Sequence, residues 1–146
     1  MSTDVRVEVT IARARADVAA FMFDPAHDAI WTTGVVEVRP LTEGRLRVGA
    51  KVERTSQFLG RRFAYQYEVV EAEADHFVTM RVEQPFPMRI RYELTDAPGG
   101  TRASIHAEGD ARGFYRLASS LLNRMVRHNI TKDLALLKAH LETRAV

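Results

Sequence analysis

At 146 residues, 46% of them apolar, the chain carries material for one continuous core, and a single domain spanning residues 1–146 is expected. The absence of cysteine excludes disulfides, thiolate metal sites and a cysteine nucleophile, and no run approaches the roughly 18 apolar residues needed to cross a bilayer. Net charge is only +2, and the basic residues, mostly arginines, are dispersed along the chain as on a solvated surface, so no nucleic-acid partner is expected.

Val5, Val7, Val9 and Ile11 alternate with Arg6, Glu8 and Thr10, the period of a half-buried strand rather than of a signal-peptide core. A soluble, cytoplasmic protein without integral membrane association is therefore expected. Val18, Phe21 and Met22 then mark one face of a short helix between Ala14 and Phe23. Asp24 is a good helix cap and Pro25 fits a first helical position, which predicts a second short helix over Pro25 to about Ile30. The single tryptophan, Trp31, follows, and Gly34 leads into a strand from Val35 to Pro40.

From Val48 onward short alternating runs are separated by turn signals, giving strands near Ala50–Phe58, Arg62–Ala72, His76–Glu83, Met88–Thr95 and Thr101–Asp110. Connections this short force antiparallel neighbours. After Gly113 the pattern is helical to about Thr143, with Phe114, Leu117, Leu121 and Met125 on one stripe and Val126, Ile130, Leu134, Leu137 and Leu141 on another. That drift calls either for a kink near Asn129 or for burial of different faces along the helix. Arg116, Arg124, Arg127 and Lys138 form its basic side, which reads as the solvent face. The fold class is α+β: a seven-stranded curved antiparallel sheet around a long C-terminal helix, with two short helices after the first strand.

A two-residue turn at Gly60-Arg61 would pair Phe58 with Phe63, Ser56 with Tyr65, Arg54 with Tyr67 and Val52 with Val69. One face of the hairpin is then apolar except for Arg54. Two readings stand for that guanidinium: a rim position, snorkelling or paired to a carboxylate, or a position facing a cavity where it binds an acidic or carbonyl-bearing ligand. The same alternation turns Val78, Met80 and Val82, then Met88, Ile90, Tyr92 and Leu94, then Ala103, Ile105 and Ala107 inward. The candidate ligand-binding set is Trp31, Arg54, Ser56, Phe58, Tyr65, Tyr67, Met80, Ile90, Tyr92, Leu121 and Met125.

Glycine-rich phosphate loops, nucleophile elbows and paired metal-binding histidines are missing, so no metal or cofactor is expected. His106, Glu108 and Asp110 alternate on the outer face of their strand. No spacing demands an enzyme and catalytic residues stay unassigned; a cyclase- or dehydratase-like reaction would use Arg54 to polarise a carbonyl or hold a carboxylate, with a tyrosine as proton donor.

The stretches Ala16 to Pro25 leading to Trp31 to Val36, Val48-Gly49, Phe58 to Phe63, Tyr67 to Val70, and the final helix with Leu134, Leu137 and Leu141 follow one another in an order and spacing that resembles the START-like superfamily (SRPBCC), in particular its polyketide cyclase/dehydrase branch. The resemblance implies a helix-grip fold with a hydrophobic cavity for a small polyketide-like or lipid-like molecule. The superfamily also includes chaperone activators, so the alternative is a protein-interaction module working through the Pro85-Phe86-Pro87 loop or the arginine face of the last helix. A homodimer through a free strand edge is compatible with either reading.

Overall fold

The computed structural model describes residues 3–143, with 112 and 113 as backbone only. The expected span from residue 1 to 146 thus runs past the described residues at both ends. Seven strands form one antiparallel sheet in the order β1-β7-β6-β5-β4-β3-β2. They are β1 (Thr3–Ile11), β2 (Val35–Pro40), β3 (Lys51–Phe58), β4 (Arg61–Glu73), β5 (Phe77–Val82), β6 (Met88–Ala97) and β7 (Gly100–Gly109). Between β1 and β2 lie helix α1 (Arg15–Met22), a 3₁₀ turn (Pro25–His27) and helix α2 (Asp28–Trp31). Asp24 caps the 3₁₀ turn by accepting from the Ala26 N–H at 3.0 Å, as its place before Pro25 requires.

β3 and β4 pair in a different register from the expected one. Ser56 stands opposite Phe63, Arg54 opposite Tyr65 and Val52 opposite Tyr67. The turn is Leu59-Gly60, both residues in the left-handed region at φ 52° and 80°, which matches the right-handed strand twist. A slip of two residues leaves every side chain on its expected face, so the inward set survives the shift. Bulges between Val35 and Glu37 and between Val69 and Glu71 add to the curvature of the sheet.

The predicted helix from Gly113 to Thr143 is two helices. The short α3 (Arg112–Tyr115) ends at Arg116, whose φ of 58° breaks the helical path, and α4 (Ser119–Thr143) starts after Ala118 accepts from the N–H groups of Leu121 and Leu122. Within α4 the helix runs on through Asn129 and resolves the drift by burying Leu122 in its first turn and Ile130, Leu134, Leu137 and Leu141 from its middle onward. No helix among the described residues is long and apolar enough to cross a membrane.

β1 is an edge strand, and its outer side is covered by polar side chains of α4. Asn123 accepts from the Asp4 N–H, Glu142 accepts from Ala12 N–H, and Arg127 and Lys138 donate to the carbonyls of Arg6 and Thr10. Two of the four residues of the basic helix face are thereby engaged by the sheet edge, which that face shields from further pairing. Inside, Val5, Ile11, Trp31, Val52, Tyr67, Val69, Met80, Leu94, Leu134 and Leu137 are almost wholly buried and form the core.

Candidate functional site

The inward faces of β3 to β7 and the inner side of α4 bound a hollow of about 190 Å³. On β3 the residues Arg54, Ser56 and Phe58 alternate onto it. At a rise of about 3.3 Å per residue, Phe58 lies roughly 13 Å from Arg54 along the strand. The hollow therefore has a polar end and an aromatic end.

At the polar end Arg54 is 5% exposed, and a buried guanidinium is costly unless it is paired. Its partner is Asp28, brought in by α2 and itself fully buried: Nη2 donates to Asp28 Oδ2 at 2.6 Å and Nε to the same oxygen at 3.1 Å. Nη1 is left to the Tyr65 hydroxyl at 3.3 Å, and the guanidinium carbon stands 4.8 Å from the Tyr67 ring centre. The Tyr67 hydroxyl donates to Asp28 Oδ2 at 3.3 Å, and Ser56 donates to the Tyr65 oxygen at 3.5 Å. Burial pulls the Arg54 pKa down, but Asp28 and the phenols around it outweigh that and hold it well above the ordinary value. Burial likewise drives Tyr67 well up and Tyr92 to about 12, against the pull of Arg54, so both remain protonated at neutral pH.

A second carboxylate meets this end from α4. Asp133 borders the hollow, is 7% exposed, and accepts from the Thr33 backbone N–H at 2.6 Å. Burial pushes its pKa up to about 6, and the hydrogen bonding from Thr33 offsets this only in part.

At the aromatic end Phe63, Phe86 and Tyr115 come together from β4, the β5–β6 loop and α3, with ring centres 5.7–6.5 Å apart. Phe114 joins them at 5.3 Å from Phe63, and Arg61 stacks on its ring at 3.7 Å. The Pro85-Phe86-Pro87 loop, expected as an exposed interaction arm, is folded back here: Phe86 is half-buried and borders the hollow. Aromatic burial against three partner rings outweighs the solvation of an extended loop.

Of the residues expected to line the site, Arg54, Ser56, Phe58, Tyr65, Ile90 and Tyr92 border the hollow. The others do not. Trp31 is fully buried one layer behind, tilted against Tyr92 at 5.5 Å. Tyr67 faces Asp28, and Met80 is 1% exposed within the core between Val69 and Ile90 of the neighbouring strands. Leu121 and Met125 are half-buried off the lining, where Leu122 and Val126 stand instead. The break at Arg116 resets the helical phase, so a stripe counted from Phe114 misses the inner face by one residue, about 100°.

Asp28 and Asp133 were not expected. Asp133 lies three residues after Ile130 and four before Leu137, an acid inside an apolar stripe, and that spacing was a readable signal. Asp28, 26 residues from Arg54, has no such signature. On the outer face, Asp4, His106 and Glu108 bring ligand atoms within 4.8 Å of one another, and His106 bonds to Asp4 at 2.7 Å. This cluster belongs to the solvent side of β1 and β7, away from the hollow.

The family model described as "Polyketide cyclase / dehydrase and lipid transport" matches residues 2–142. No curated protein matches in sequence. Among solved structures, protein CV1439 from Chromobacterium violaceum is similar with a TM-score of 0.72 at 20% identity, covering 97% of this chain and 99% of that one. TTHA0849 from Thermus thermophilus is similar with a TM-score of 0.78 at 14% identity over 94% and 96%. The di-domain ARO/CYC BexL from the BE-7585A biosynthetic pathway gives a TM-score of 0.78 at 17% identity, over 99% of this chain and 51% of BexL. At these identities the likeness is one of fold, a curved sheet gripping a C-terminal helix.

Proposed function

Because the chain belongs to the polyketide cyclase/dehydrase and lipid transport family, we propose that it binds a small hydrophobic molecule, polyketide-like or lipid-like, in the hollow between sheet and α4. The observation that carries this reading is the lining itself: apolar and aromatic side chains such as Phe58, Phe63, Phe86, Met88 and Ile90, with a polar end where Arg54, Ser56, Tyr65, Tyr92 and Asp133 border the same space. A ligand site of this kind gains affinity from apolar burial and orientation from a few fixed polar groups.

BexL, an ARO/CYC protein, has the same fold, and the corresponding chemistry here would place a ligand carbonyl against Arg54 Nη1 and the Tyr65 hydroxyl, the two groups positioned to polarise it. The residues bound to that role are Arg54 and Tyr65, with Ser56, Phe58, Ile90 and Tyr92 shaping the space around the ligand.

Native mass spectrometry of the purified protein tests the reading. A co-purified apolar molecule released on denaturation, and displaced by an added aromatic ketone, is the expected result. A protein that carries no such molecule and takes up no aromatic or acyl-chain probe contradicts it.

A further inference from the structure

Arg54 and Asp133 are the charged side chains among the described residues bordering the hollow. Arg54 acts on Asp133 only at a distance, as a lesser cause than burial and the Thr33 hydrogen bonds, and its ion pair is with Asp28. Asp28 stands behind Arg54, off the lining, and takes two of its N–H groups through Oδ2. The pair is electrically neutral seen from the hollow. Asp133 takes its hydrogen bond from Thr33, a neutral donor, so its negative charge is not neutralised in that bond.

An anion entering the hollow thus meets no free cation, and it meets a carboxylate in a poorly hydrated space where repulsion is strong. A neutral carbonyl needs only hydrogen-bond donors, and the Arg54 Nη1 and Tyr65 hydroxyl supply them. We propose that the hollow selects an uncharged, carbonyl-bearing hydrophobic ligand and rejects carboxylates, the discrimination being set by Asp28 and Asp133. This rests on the binding reading above and narrows its ligand class. It also decides between the two ligand types open to Arg54 at the level of sequence.

The test uses two probes of nearly equal shape, 2-acetylnaphthalene and 2-naphthoate, titrated by calorimetry at pH 7.5. The ketone binds at least tenfold more tightly than the carboxylate in the native protein. D133N lowers the ketone-to-naphthoate affinity ratio at least threefold, through tighter binding of naphthoate. D28N, which frees the Arg54 charge, raises naphthoate affinity at least tenfold; should that variant not fold, D133N alone carries the test. Equal affinities in the native protein, or a ratio unchanged in the folded variants, overturn the selectivity. Binding of neither probe overturns the binding reading, and this inference with it.

Discussion

Asp28 and Arg54, one from a four-residue helix and one from the middle of β3, meet through a single oxygen: Arg54 Nη2 lies 2.6 Å and Nε 3.1 Å from Asp28 Oδ2, with both side chains removed from solvent. The contact ties the segment between β1 and β2 to the sheet at the point where the hollow turns polar. Two buried charges are costly to desolvate, and the cost is met only while each has the other.

Removing one partner should therefore cost far more than removing both. Arg54→Met or Asp28→Asn alone should lower the unfolding free energy by about 3–5 kcal/mol, whereas the double replacement should lose well under the sum of the two. Urea denaturation of the four proteins in a double-mutant cycle measures the coupling.

Asp133 makes stability depend on pH with a definite sign. Its folded pKa, about 6, lies above the ordinary value of 3.8, so between these limits the native state binds more protons than the unfolded one. Its contribution to stability is greatest below about pH 4 and falls as pH rises to about 6, by about 3 kcal/mol on the linkage of 1.36 kcal/mol per unit. Asp133→Asn should flatten that part of the pH profile and stabilise the protein at pH 7. Urea midpoints from pH 4 to 7 for both proteins check this.

Gly100 opens β7 against the end of β1. A Cβ there would stand 2.0 Å from the Ile11 carbonyl oxygen, a backbone atom that cannot swing aside. Gly100→Ala should destabilise by about 1–3 kcal/mol, the range of an overpacked site. Gly60→Ala meets no atom within 4 Å and should lose only about 1 kcal/mol, from the left-handed φ. Thermal melts of the two variants separate the effects.

The elements were legible because the signals that fix them are local. Alternation in Val5 to Ile11 and in Ala103 to Ala107 needs no knowledge of the partner strands, and the face of Arg54, Tyr65 and Tyr67 survives even a two-residue error in the hairpin register. The break at Arg116 was hidden because arginine has no preference for a positive φ. Asp28 was the least legible part of the site. Asp28 reads as an ordinary first-turn helix residue, and only the closed fold brings it to Arg54.

The five isoleucines divide on the central claim, because Ile90, Ile105 and Ile130 border the hollow while Ile11 is sealed in the core and Ile30 is half exposed on the surface. Titrating 2-acetylnaphthalene into protein labelled at the isoleucine methyl groups, and following each methyl by NMR, tests it most directly. The account predicts saturable shifts at Ile90, Ile105 and Ile130 with Ile11 and Ile30 unmoved. Shifts confined to Ile30, or no shifts at all, would contradict an internal binding site.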